Sequence, residues 1–264
     1  MPKMANSESV KEQYANEKNL LARIKLHAKH STNKYGLTNW LFDNYKFTDS
    51  CRILELGCGS GGQWEGRIKH LPTNSMLILS DLSTGMIDNV WCKYSQFPNV
   101  LVQKVDIQDI PFPSCSFDYI IANHMLYHVP DLSKAISEVY RVLKPNGTFY
   151  AATNGTEGMH RYLHNALKDF NPDLDAFKGE LSFTFQNGQK VLNEHFEDVE
   201  LIEYEDSLAI TETQDLVDWI KSIITIASFT ENELEGLYDY FEKIRKVEGT
   251  INIPKQAGLF ISHK

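Results

Sequence analysis

Apolar residues along this chain change their period near residue 50. Before that point they recur at helical spacing. Leu20, Leu21, Ile24 and Leu26 form a stripe within 8–30, with Lys and Glu on the other faces, and Trp40, Leu41 and Tyr45 fall within a second helix at 35–45. Beyond it they gather into short runs at 52–56, 76–80, 100–105, 117–122 and 147–152, with helical patterns between them at about 62–70, 84–94 and 132–143. Strands alternating with helices at this spacing predict βαβ units and a parallel sheet. Right-handed crossovers then line the carboxyl ends of the strands, and any ligand, along one edge.

After residue 153 the rhythm breaks. A helix is expected over 157–170, then a polar stretch with Pro172, Gly179 and Gly188, then a helix at 187–196 and a strand at 198–206. Two helices follow at 212–224 and 230–247, the second opened by Thr230 and Glu233 in the form of a capping box. A last strand covers 257–262. The expected organisation is residues 1–48 as N-terminal helices forming part of a cap, and 49–264 as the main domain with cap insertions at about 157–185 and 212–248.

Composition narrows the partners. Lys and Arg total 26 against 35 Asp and Glu, a net charge of −9, which disfavours the basic surface that nucleic acid requires. Cys51, Cys58, Cys92 and Cys115 are scattered, with no metal-knuckle or redox spacing, and fit a reducing cytoplasm. The N-terminus is too polar for a signal peptide, and no apolar run is long enough to span a bilayer, so no membrane partner is expected.

The chemistry concentrates in Ile53-Leu54-Glu55-Leu56-Gly57-Cys58-Gly59-Ser60-Gly61-Gly62, a buried strand running into a glycine-dense turn. Glycine suits a turn that must let backbone approach a ligand. Gly57, Gly59 and Gly62 also satisfy the GxGxxG dinucleotide spacing. Glu55, however, sits where a pyrophosphate would have to lie, and a carboxylate there favours a cationic ligand such as an ammonium or a sulfonium. Two further acids end the next strands. Asp81 is placed to accept hydrogen bonds from both hydroxyls of a ribose. Asp106 is placed to accept from an adenine amino group, with Ile107 beside the ring and Leu82 and Met86 on its apolar side. The fourth strand opens into Asn123 and His124, which should face the methionine end of the donor or the acceptor. His124 is the candidate general base, and His128 reads as a residue that fixes the following turn. His160 and His164 lie four apart on a helix, but no third ligand has an obvious position, so no metal is expected.

Together with Ser80-Asp81-Leu82-Ser83, Asp106-Ile107-Gln108-Asp109-Ile110-Pro111-Phe112, Phe117-Asp118-Tyr119-Ile120 and Val142-Leu143-Lys144-Pro145-Asn146-Gly147, the glycine turn resembles the class I S-adenosylmethionine-dependent methyltransferases. The resemblance is to the small-molecule group that includes ubiquinone and menaquinone biosynthesis methylases, and it is strongest over about 50–153. It implies an α/β, Rossmann-like, seven-stranded and mostly parallel sheet, its last strand antiparallel, with helices on both faces. It implies S-adenosylmethionine as cofactor, a small-molecule acceptor, and donor contacts from Gly57, Gly59, Asp81, Asp106 and Asn123. In some branches an N-terminal helix closes over the donor. Tyr14, Arg23 and His27 share one side of that helix here, and Arg23 could pair with the donor carboxylate. Gln63-Trp64 departs from the commoner small residue after the glycines, so that Trp64 either narrows the methionine end or packs under the sheet. A non-catalytic S-adenosylmethionine-binding protein and an RNA or protein methyltransferase are the competing readings. The acceptor and the oligomeric state are not specified by the sequence.

Overall fold

The computed structural model describes residues 17–173, 181–222 and 229–264, and two compact units divide them. One unit takes Leu37–Thr153, Ser182–Glu203 and Gly258–Lys264. Its sheet contains β1 (Arg52–Leu56), β2 (Met76–Asp81), β3 (Val100–Lys104), β4 (Phe117–Ile121), β5 (Leu143–Asn154), β6 (Asp198–Tyr204) and, near the C-terminus, β9 (Ala257–His263). The order across the sheet is β3-β2-β1-β4-β5-β9-β6. Leu54 registers with Ile78 on one side and Ile120 on the other, both in parallel pairs, and β9 enters antiparallel as expected. The order reverses at β1, whose neighbours β2 and β4 carry the chain away in opposite directions. Ligands bind at such a switch point in open α/β sheets.

The alternation of side chains along each strand builds two cores. Leu54, Leu56, Ile78, Phe149 and Phe260 pack on one face with α4 (Leu132–Val142), whose Ala135, Ile136, Val139 and Val142 form its buried stripe. Ile53, Leu77, Leu79, Tyr150 and Leu259 pack on the other face with α3 (Thr84–Tyr94) and α2 (Leu37–Asn44). Helix α2, expected in the cap, thus belongs to the sheet unit, where Leu41 and the following Tyr45 are buried. The helix expected at 62–70 is instead two 3-10 turns, Gly62–Trp64 and Ile68–His70. Gly66 lies between them in the left-handed region at φ 70°, which a continuous right-handed helix does not allow.

The other unit takes Met1–Gly36, Asn154–Leu181 and Tyr204–Ala257. It contains α1 (Glu17–His30), α5 (Met159–Phe170), α7 (Thr213–Lys221) and α8 (Glu231–Glu248), and its own core is built from Leu26, Leu163, Leu167, Leu216, Ile220, Leu237 and Phe241. The Thr230–Glu233 capping box opens α8 as predicted. Two strands unforeseen in the sequence, β7 (Ser207–Ile210) and β8 (Ile251–Pro254), pair antiparallel within this unit. The short α6 (Gly188–Leu192) covers only the first half of the helix expected at 187–196. Tyr14 with the rest of 8–16 of the N-terminal helix, and residues 174–180 and 223–228 of the expected cap, lie outside the described residues.

Candidate active site

The turn after β1 is shaped from both sides. Gly57, Gly59 and Gly61 all adopt positive φ, at 68°, 55° and 69°. A Cβ on Gly57 would come within 2.9 Å of Met125, and one on Gly61 within 2.7 Å of the Tyr94 ring, so both positions require glycine for space as well as conformation. A Cβ on Gly59 would meet nothing within 4 Å, so its backbone faces open space. Tyr94, at the end of α3, donates its hydroxyl to Gly61 O at 2.7 Å, and Cys58 N donates to Ser80 O at 2.8 Å. The turn is thereby anchored to the next strand and to the helix that follows it.

Glu55 points to the α2–α3 face and is 3% exposed. Its Oε2 accepts the Trp64 indole N–H at 2.5 Å. Trp64 is fully buried in the core on that face of the sheet, the second of the two roles its sequence position left open. Burial pushes the Glu55 carboxyl up to about 7; the indole bond opposes that rise and the Asp81 charge adds to it. Asp81, at the tip of β2, accepts Gly59 N at 2.9 Å on one carboxylate oxygen and Ser83 N at 2.8 Å on the other. Burial raises its pKa, against the backbone N–H bonds. A carboxylate has about four acceptor positions, so the backbone N–H bonds still leave room for a ribose hydroxyl. Leu82 is half-buried beside Asp81, and Ser83 caps α3 over the buried Met86.

Asp106 follows β3 in a tight loop. It accepts Gln108 N at 2.9 Å and the Gln108 side-chain amide at 3.1 Å, while Ile107 is buried. The loop is pinned by α4: Arg141 donates to Phe112 O at 2.8 Å and Ile110 O at 2.9 Å, and Glu138 accepts Ile110 N at 2.9 Å. Gln108 also accepts Asp131 N at 3.1 Å. Sequence reasoning missed Gln108, Glu138 and Arg141. The only signal was an Arg and a Glu three apart near the end of α4, a pattern common on solvated helices.

At the tip of β4, Asn123 Nδ2 donates to Tyr45 Oη and to Gln63 Oε1, each at 2.8 Å, and Gln63 Nε2 donates to Tyr45 Oη at 2.9 Å. Asn123 Oδ1 is buried with no hydrogen-bond partner among the described residues. His124 next to it stands in the left-handed region at φ 53°, and its N–H donates to Ala152 O at 2.8 Å, which keeps the turn attached to β5. His128 ends a short 3-10 turn, its ring 4.5 Å from that of Tyr127.

Glu55, Gly57, Gly59, Asp81, Leu82, Asp106, Ile107, Asn123 and His124 thus lie at or just beyond the carboxyl ends of β1 to β4, within the sheet unit. Arg23 lies in the other unit, where its guanidinium donates to Ser222 Oγ at 3.0 Å and Ser222 O at 2.6 Å. Pairing with a donor carboxylate would compete with those bonds. His160, also there, is held low by burial and by the neighbouring His164. Among the described residues no group of three or more His, Cys, Asp or Glu could hold a metal, and no helix is long and apolar enough to cross a membrane.

A sulfonium nucleoside fits these residues. The turn offers open backbone at Gly59, the strand tips offer carboxylates, and Asn123 offers a buried acceptor oxygen that has no partner among the described residues. Residues 54–151 match the family model described as "Methyltransferase domain". Over those residues the chain is similar to the class I S-adenosylmethionine-dependent methyltransferases. The ubiquinone/menaquinone biosynthesis C-methyltransferase UbiE of Rickettsia prowazekii is 36% identical to it over 124 residues, 45% of this chain and 48% of that protein. The chain spans about half the length of the curated relatives it matches. Among solved structures, the YcgJ protein of Bacillus subtilis superposes at a TM-score of 0.61 with 18% identity, covering 86% of this chain and 97% of its own. Phosphoethanolamine N-methyltransferase 2 of Haemonchus contortus, solved with S-adenosyl-L-methionine, superposes at 0.61 with 17% identity, covering 97% and 59%. At those identities the structural likeness speaks to the methyltransferase fold alone.

Proposed function

We propose that the protein transfers a methyl group from S-adenosylmethionine to a small-molecule acceptor by in-line displacement. The observation that carries this reading is Asp81 tied to both Gly59 and Ser83 beside the buried Glu55, a carboxylate-lined cradle suited to a cationic nucleoside and hostile to a pyrophosphate. When bound, S-adenosylmethionine supplies an already activated methyl group. In this reading Asp81 holds the ribose, Asp106 the adenine amino group, and Ile107, Leu82 and Met86 the apolar side of the ring. Gly57 and Gly59 give way to the sulfur end, Glu55 balances its charge, and Asn123 receives the methionine end. His124 accepts a proton from the acceptor where that group must lose one on attack. The chain's main task is to hold the acceptor atom about 3–3.5 Å from the methyl group and keep water out.

A small-molecule acceptor accords with the names of the relatives and with the acidic charge of −9. A cytoplasmic setting is part of the same reading and is supported by four free cysteines.

The test is incubation with methyl-labelled donor and a metabolite extract, with labelled products identified by mass spectrometry. Label in a small molecule is expected. Label confined to RNA or protein, or donor binding with no transfer, overturns the reading. Asp81→Asn should weaken donor binding by about 10- to 100-fold, the loss of charge-assisted bonds to two hydroxyls, while far-ultraviolet circular dichroism stays unchanged.

A further inference from the structure

Gln108 stands between two loops of the sheet unit. One loop, 106–112, follows β3 and carries Asp106. The other, 122–131, runs from the tip of β4 to the N-cap of α4 and carries His124, Tyr127 and His128. The Gln108 amide donates to Asp106 Oδ1 at 3.1 Å, and its carbonyl oxygen accepts Asp131 N at 3.1 Å. Asp131 in turn caps α4, accepting Lys134 N at 3.0 Å. Below this bridge the two loops share one core, with Ile107 and Ile110 from the first and Leu126 and Val129 from the second. Gln108 N also donates to Asp106 Oδ1, at 2.9 Å. Oδ1 thus takes a backbone and a side-chain N–H from Gln108, whereas Oδ2 lies at a marginal 3.5 Å from the same amide nitrogen. The acceptor capacity left to Asp106 and the bridge to the β4–α4 loop therefore sit on one carboxylate.

We infer that Gln108 couples the two loops, so that an adenine amino group taken by Asp106 steadies the β4–α4 loop as well as the loop it touches. This rests on the donor assignment of the preceding subsection; it concerns what adenine binding does elsewhere in the unit. The terminal torsions of Asp and Gln side chains are broad, so neither group is aimed by its own rotamer. A carboxylate held at one oxygen can still swing. A second N–H, arriving on Oδ2, fixes its plane. The Gln108 amide follows that plane through its own N–H, and its oxygen is then aimed at Asp131 N. Asp131 is a junction, because its C=O also accepts Ala135 N at 3.1 Å in the first turn of α4. Fixing it fixes one end of the loop. The other end is already held, by His124 N on Ala152 O at 2.8 Å. A loop pinned at both ends has less freedom to lose when an acceptor arrives. Gln108 acts through Asp106 and Asp131 and is a positioning residue.

The test is hydrogen exchange resolved by segment, with 5′-methylthioadenosine at saturation. That ligand carries the adenine and ribose and has no amino-acid end to meet the tip of β4. Its inosine analogue, with an oxygen in place of the amino group, has no N–H for Asp106. In the wild type, methylthioadenosine should slow exchange over 124–131 by roughly 3- to 10-fold, and the inosine analogue should change it by less than about twofold. Gln108→Glu keeps an oxygen for Asp131 N and loses the N–H that holds Asp106, since at pH 8 a glutamate side chain has no proton to donate. Its ligand-free exchange over 124–131 should match the wild type, yet methylthioadenosine, still bound by calorimetry, should no longer slow it. A purely structural role would leave that response intact. Gln108→Met, which removes both bonds without adding charge, should lose the response as well. Retention of the response by either variant, equal slowing by the inosine analogue, or slowing confined to 106–112 in the wild type overturns the inference and leaves the donor assignment standing. If the wild-type protein binds neither methylthioadenosine nor S-adenosylhomocysteine, the donor assignment itself falls, and this inference with it.

Discussion

Glu55 concentrates the electrostatics of the site in one side chain. It is buried, it neighbours the Asp81 carboxylate, and the one contact described for it is an uncharged indole. With a folded pKa of about 7 against 4.5, the native protein holds a proton there that the unfolded chain has lost. Its contribution to stability is fully present below about pH 4.5 and is lost as pH rises through about 7, with an upper bound of about 3 kcal/mol. Urea unfolding of the ligand-free protein should therefore show a fall of up to that size between about pH 5 and pH 8. Glu55→Gln, which can still accept the Trp64 N–H, should abolish that slope; a variant retaining it in full would place the titration elsewhere. A cationic donor favours the charged carboxylate. Calorimetry near neutral pH, repeated in buffers of different ionisation enthalpy, should then detect proton release on donor binding to the wild type and none to the glutamine variant. The acid of the glycine turn was legible in the sequence because it sits in one continuous run. The Tyr45–Gln63–Asn123 triad was not. Tyr45 is 18 residues from Gln63 and 78 from Asn123, and nothing local marks three neutral polar groups that the fold alone brings together.

At the scale of elements, the strand tips are held by parts that make no claim on a ligand. The Asp106 loop contributes little regular structure, and α4 fixes it through Arg141 and Glu138. Arg141→Met should release Ile110 O and Phe112 O, speed amide hydrogen exchange over 108–112, and weaken donor binding by roughly 3- to 10-fold. Arg141→Lys should restore little of this, because one ammonium lacks the planar fork that reaches both carbonyls. Unchanged exchange in the methionine variant would mean the loop holds itself. The sheet itself was readable, since strands buried on both faces appear as unbroken apolar runs such as Met76–Leu79 and Tyr119–Ala122. The β7–β8 pair was not, because Ser207–Ile210 is four residues long and finds its partner at Ile251–Pro254, beyond two intervening helices. The expected helix at 62–70 failed for the opposite reason. Its apolar spacing was acceptable, but a left-handed glycine at 66 divides it into two turns.

The described residues form two compact units, and a buried acid in each answers to pH in the opposite sense. In the helical unit, burial opposes ionisation of Asp215, but bonds from Lys25, Lys29 and His30, at 2.7, 2.9 and 2.9 Å, outweigh it and hold the carboxyl well below the usual range. Those bonds tie α1 to α7. Asp206 in the same unit is likewise depressed: burial again opposes, and Lys255 and Ser31 prevail. Stability from such groups is present above their unfolded pKa of 3.8 and is lost as pH falls through the folded values. Glu55, in the sheet unit, gains as pH falls from about 7 to 4.5 and changes no further below that, where these groups begin to lose. Acidification below about pH 4 should therefore loosen 204–257 while the glycine turn and β1 stay protected. Hydrogen exchange resolved by segment, and corrected for intrinsic rates, measures this directly. Asp215→Asn keeps the size of the side chain and removes its charge. It should lower the protection of 204–257 at neutral pH and flatten its acid dependence, leaving 52–81 unaffected. Uniform loss of protection across both units in the wild type would mean that the molecule unfolds as one cooperative body and that the local charge partners do not set its acid limit.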